Sequence, residues 1–102
     1  MNKVSTIEEY IDLVREAIEE VEDLRSSIEY DEEFMSDAFV FIDQLEAGIR
    51  RLYKSLVDGS HEFSKEDLPF MVIVRDSDDN VLPFRKLLIL INEIHKEGFS
   101  VQ

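Results

Sequence analysis

The sequence has no cysteine and no tryptophan, only two prolines and three glycines, and no apolar run longer than five residues. Without cysteine there is no disulfide, thiolate metal site or thiol nucleophile, as suits a reducing cytoplasm, the expected location. So little proline and glycine, beside a 44% apolar fraction, argues against a loop-rich or disordered chain. Runs such as Phe70–Val74 and Leu87–Ile91 fall far short of the about 20 apolar residues that a membrane-spanning helix needs. No apolar segment follows Lys3, so no secretory signal is expected. Basic residues are also scarce, and unevenly so. Residues 1–46 hold 15 acids against three bases, a balance of −12; residues 47–102 hold nine against eight, which completes the net charge of −13. An isoelectric point near 4.4 makes nucleic acid and anionic membrane surfaces poor partners, since both would be repelled.

What is present is helical periodicity, and 102 residues fit one helical domain covering the whole chain. Ile7, Tyr10, Ile11, Val14, Ala17, Ile18, Val21, Leu24 and Ile28 recur three and four residues apart, the signature of a single helix face. Ile7, Val14, Val21 and Ile28 fall at heptad position a; Tyr10, Ala17 and Leu24 fall at d. Thr6 and Glu9 form the two ends of a capping box. A helix is therefore predicted over about residues 6–28. After a short join at Glu29–Glu33, whose acids favour a helix N-terminus, the rhythm resumes. Met35, Ala38, Ile42, Leu45, Ile49, Leu52 and Leu56 predict a second helix that Asp58-Gly59 closes, with glycine supplying the left-handed cap. Two long helices with a short join predict an antiparallel hairpin.

The second half is sparser in signals. Residues 59–66 read as a polar loop. Asp67-Leu68-Pro69 resembles a cap and first-turn proline, while Phe70–Val74 is β-branched enough to be a strand. A strand would need a partner, and Pro83 spoils the obvious one. A short third helix is expected, then a fourth and buried one over Pro83–Glu97, with Phe84, Leu87, Leu88, Ile91 and Ile94 on one face. Leu-Pro-Phe occurs at 68–70 and at 82–84, a spacing that fits two similar helix starts. The expected fold class is all-α and four-helix-bundle-like.

No catalytic or metal motif rises above ordinary packing. Asp76, Asp78 and Asn80 open like a calcium loop, but Val81 and Leu87 stand where glycine and the bidentate glutamate belong; a turn before the last helix is expected. No Glu-x-x-His occurs, as a carboxylate-bridged metal pair would need. His61 falls in the polar loop, and His95 reads as a C-terminal residue interacting with the helix dipole. Phe39, Val40 and Phe41 make the second helix apolar around more than one face, to be covered by the short helices or by a second subunit.

The acids of the first helix are the exception. Glu8, Glu9, Asp12, Glu16, Glu19, Glu20, Glu22 and Asp23 all lie outside the apolar stripe. The like-charge pairs Glu8–Asp12, Asp12–Glu16, Glu16–Glu20 and Glu19–Asp23 each cost about 0.2–0.5 kcal/mol, about 1–2 kcal/mol together at low salt. Within the helix only Arg15 and Arg25 relieve them. Three readings stand: a solvated face that promotes solubility, a docking surface for a basic partner, or pairing with Arg50, Arg51 and Lys54 within the chain.

The stretches Glu29–Glu33, Asp67–Met71, Leu82–Arg85 and Leu87-Leu88…Ile91-Asn92-Glu93…His95 together resemble a family of small acidic bacterial proteins of similar length. Some of its members carry a label linking them to component F of the general secretion pathway. The resemblance implies a small soluble bacterial domain and carries over no functional residues.

The residues therefore point to a non-enzymatic interaction or adaptor module that binds a protein with a basic patch, or a second copy of itself. Glu16, Glu19, Glu20, Asp23, Asp31, Glu32 and Glu33 are its candidate contacts, with no cofactor and no metal. The alternative is a small-molecule or metal-binding domain with a pocket between its helices. One consequence follows from self-repulsion alone. Raising salt from about 0.01 M to about 0.2 M shortens the Debye length from about 30 Å to under about 8 Å. The melting temperature is expected to rise across that range in thermal unfolding; a fall would mean that internal bases already match the acidic face.

Overall fold

The structure, a computed structural model, describes residues 6–30, 36–77 and 82–98, and their side chains except those of 28–30 and 36–40. Among the described residues the chain is all-α, with no strand. Its helices are α1 (Ile7–Tyr30), α2 (Ser36–Val57), α3 (Met71–Asp76) and α4 (Arg85–Glu97). None is long and apolar enough to cross a membrane among the described residues. The join at 31–35 and the turn that includes Asp78 and Asn80 lie outside the described residues.

The heptad pattern of α1 becomes its packed face: Tyr10, Val14, Ala17, Ile18 and Val21 are buried. Thr6 caps the helix as its position predicts, its Oγ1 accepting the Glu9 N–H at 3.1 Å. On α2 the buried set is Ile42, Leu45, Ile49, Leu52 and Leu56, again three and four residues apart. Cross-helix contacts fix the direction of the pair. Arg25 reaches Asp43 and Glu46, Arg50 reaches Glu22, and the Arg15 guanidinium lies over the Tyr53 ring at 5.9 Å. As residue numbers rise on one helix they fall on the other, so the hairpin is antiparallel.

Two helices can bury only one seam, and the rest of the chain closes the core. α4 packs on α1, and its Leu88 and Ile91 are fully buried. Tyr10 crosses to it, donating its hydroxyl to the Ile91 carbonyl at 2.9 Å. Burial holds that phenol well above the ordinary range of tyrosine. Phe41 is half-buried against the same core, whereas the side chains of Phe39 and Val40 lie outside the described residues.

The β-branched segment at 70–74 is helical. Its conformation follows from the Leu-Pro-Phe corner, which occurs twice with the same hydrogen bonds. Met71 N–H donates to the Leu68 carbonyl, and Arg85 N–H to the Leu82 carbonyl, each at 3.0 Å. Phe70 and Phe84 then each accept the next two amides, those of Ile73 and Val74 and those of Leu87 and Leu88. In both corners leucine and phenylalanine are buried and proline is outside. Both helices therefore begin two residues beyond their prolines, and Asp67 does not cap α3. The residue before each helix makes no side-chain cap bond.

Gly59 and Gly98 take positive φ, 80° and 73°, ending α2 and α4 as their positions predict. Gly48 has a different reason to be glycine. A Cβ there would meet Phe70 Cβ at 3.2 Å and Cδ2 at 3.3 Å, so the first corner rests directly on the backbone of α2. Helix propensity alone favours replacing this glycine. Gly48→Val is nonetheless expected to lower stability by about 1–3 kcal/mol, because the buried phenylalanine must move α3 to make room; urea unfolding measures it.

Candidate functional site

The acids of the hairpin divide into two sets. The first lies along the α1–α2 seam. Glu46, on α2, accepts from Arg25 and from Arg50 Nε, each at 2.7 Å; Arg50 also holds Glu22 at 2.6 Å and Arg25 holds Asp43 at 2.7 Å. Arg50, and then Arg25, draw the Glu46 carboxyl below its usual range against the opposing effect of burial. The second set faces outward. Glu16, Glu19 and Asp23 are exposed and Glu20 is half-exposed, and none forms an ion pair among the described residues. Arg15 pairs with Asp12 at 3.0 Å. Among the described residues, pairing across the hairpin thus accounts for Glu22 of the α1 acids, through Arg50, while Arg51 and Lys54 make no ion pair with α1. Asp31, Glu32 and Glu33 lie outside the described residues.

The other polar constellation is one that sequence reasoning missed. His95 does not stand at a solvent-facing helix end; it is 95% buried. Its Nδ1 lies 3.0 Å from His61 Nε2, and its Nε2 lies 3.3 Å from Ser64 Oγ. His61, half-buried rather than free in a polar loop, has its Nδ1 3.4 Å from Ser55 Oγ, whose hydroxyl donates to the Leu52 carbonyl at 2.8 Å. One tautomer assignment satisfies these side-chain contacts. Glu66 N–H donates to Ser64 Oγ, Ser64 donates to His95 Nε2, His95 Nδ1–H donates to His61 Nε2, and His61 Nδ1–H donates to Ser55. Phe63 packs edge-on against His61 with centroids 4.7 Å apart, and tilts against Tyr10 at 5.8 Å. Burial, then the neighbouring imidazole, lower the pKa of His61; burial lowers that of His95, against the pull of the Glu66 backbone and the Asp67 carboxylate.

Beside this pair, between the end of α2 and the 60–70 segment, lies a groove of about 490 Å³ lined in part by Arg51, Ser55, His61, Phe70 and His95. A second cleft of about 550 Å³, between α3 and α4, carries Lys65, Arg75, Arg85 and Lys96 around Asp67. Asp67 is a junction there. It accepts from Asn92 Nδ2 at 2.9 Å, from Lys96 at 3.1 Å and from Arg75. Asn92, and then the two cations, hold its carboxyl well below the usual carboxylate range. Buried Asn92 turns its Oδ1 to the Leu68 N–H at 2.8 Å. No group of three or more metal-ligating side chains occurs among the described residues.

A signal for this second constellation did exist. Leu88, Ile91 and His95, like Leu88 and Asn92, continue the three-and-four spacing of the buried face of α4, so both polar residues point inward. Their partners stand 24 to 34 positions away, and no local pattern announces them. At the seam, Glu46→Gln is expected to lower stability by about 0.5–1 kcal/mol, the range of partly exposed pairs, with the loss shrinking as salt is raised; chemical unfolding at two ionic strengths measures both. No family model, curated protein or solved structure matches the chain.

Proposed function

We propose that the chain is a non-enzymatic interaction module of the cytoplasm, which takes a basic protein surface against the outer face of α1. Its centre is Glu16, Glu19, Glu20 and Asp23, and on sequence alone the surface continues into Asp31, Glu32 and Glu33. The observation that carries this reading is the division of the acids. The bases of the hairpin pair with Asp12, Glu22, Asp43 and Glu46, and among the described residues the outer row is in no ion pair, with Arg15 beside Glu19 its nearby positive charge. Like charges four residues apart oppose the helix they ride on, and a basic partner would remove that repulsion on binding. Attraction of this kind raises the association rate and weakens with salt.

A second reading, a holder of a small molecule, draws on the groove beside His61 and His95. Its lining combines apolar Leu68 and Phe70 with Arg51, two imidazoles and three hydroxyls, the mixture that orients a small polar ligand. The metal version of that reading has no three-ligand cluster behind it among the described residues.

Charge reversal separates the surfaces. The triple variant Glu19→Lys, Glu20→Lys, Asp23→Lys is expected to lose partners captured by the wild-type chain from its host lysate at low salt. Titration of a captured partner, once purified, should shift NMR signals along α1 rather than around His61. Unchanged capture by the variant means that the acidic row serves only to keep the chain soluble; shifts confined to the groove favour the second reading.

A further inference from the structure

The histidine pair joins two parts of the chain that local structure does not hold together. His61 belongs to the segment after Gly59, His95 to the last turn of α4, and 34 positions separate them. The segment from Ser60 to Glu66 has no helix of its own. Beyond its first two amides, which bond to the Ser55 carbonyl, side chains hold it: the His61–His95 bond, the Ser55 and Ser64 contacts, and Phe63 packed on Tyr10 and the two imidazoles. We propose that the imidazole–imidazole bond is an acid-operated latch. It holds segment 60–66 over the groove while at least one ring is neutral, and it opens when both rings are protonated.

The geometry dictates the two stages. An N–H···N bond needs one bare nitrogen facing one N–H. A single added proton leaves that intact, because an imidazolium still donates to a neutral partner. A second proton sets two N–H groups head-on across 3.0 Å and two like charges on rings whose centroids are 5.0 Å apart. The pair therefore titrates as a unit in two steps. The surrounding charges do not cancel this. Glu62, beside His61, and Asp67, facing His95, favour protonation. Against them stand burial and, on the α2 wall of the groove, Arg51; Glu66 also lines the groove, Asp67 is already engaged by Arg75 and Lys96, and from α1 the phenol of Tyr10 packs on Phe63 beside the pair. The sign follows from the direction of the shifts. Because both rings bind protons more weakly when folded, their contribution to stability is present above the ordinary histidine value of 6.5 and declines as pH falls below it. Opening would swing Phe63 off Tyr10 and widen the approach to Ser55, Phe70 and His95.

Amide hydrogen exchange on the intact chain tests the latch. Corrected for intrinsic rates, exchange in 60–66 is expected to quicken about tenfold or more between pH about 7.5 and about 5, the span in which histidine titrates and most carboxylates stay charged. Amides of the α1–α2 seam should change far less. NMR titration should show both imidazoles following the same two steps. The decisive variant is His61→Gln, whose side-chain amide can occupy the Nε2 position and does not titrate. A single imidazolium at His95 can then donate to it, so the segment should stay closed at the lower pH. His95→Asn, which places an amide where Nδ1 stood, gives the same test from the other side. The proposal is overturned if wild-type exchange in 60–66 is independent of pH, or if both folded variants open as the wild type does.

Discussion

Three separate parts of this chain, α1, the corner ahead of α3 and the histidine segment, are tied to one five-residue stretch of α4. From Ile91 to His95 it accepts the Tyr10 hydroxyl from α1, caps the Leu68 amide ahead of α3, orients Asp67 and holds His61. These are polar bonds at a mostly apolar interface, and that is their importance. Burial of Leu88 and Ile91 would be satisfied by many rotations and slides of α4 against the hairpin. A hydroxyl aimed at one carbonyl and an amide matched to one N–H allow a single register. A missing partner would leave a buried polar group unpaired, which costs more than the bond itself contributes.

The hairpin meets its electrostatic problem by a different route. Its acids exceed its bases, and two of its arginines serve two carboxylates each: Arg25 on Asp43 and Glu46, Arg50 on Glu46 and Glu22. That arrangement fixes the antiparallel pairing. It also leaves the far side of α1 strongly negative. The seam and the outer row are thus one design read from two sides, since the same few arginines could not have served both.

How much of this could be read beforehand depends on the range of the interaction. Residues that act through helical spacing were legible: the stripe from Tyr10 to Val21, the alternation from Ile42 to Leu56, the glycine stops at Gly59 and Gly98. The repeated Leu-Pro-Phe predicted two similar helix starts, and they share one hydrogen-bond pattern, although Asp67 serves tertiary structure and not as a cap. The outer position of Glu16, Glu19 and Asp23 followed from the heptads. His95 did not follow, because a histidine in a last helical turn is as consistent with the dipole as with a buried bond, and only the fold brings His61 to it. Gly48 is similar: its lack of a side chain has meaning only once Phe70 lies across it.

The bond from Tyr10 to Ile91 has a consequence for how the chain is made. The two residues are 81 positions apart, so α1 is made well before the carbonyl that its tyrosine needs. Through that interval the hairpin can close its own seam, but the face around Tyr10 and Val14 stays uncovered. The helix made after the hairpin is the one that completes its core, and with it the contacts that hold α3 and the histidine segment. A nascent chain stalled before Ile91 would thus present an acidic, half-covered hairpin, the kind of exposed apolar intermediate that chaperones engage.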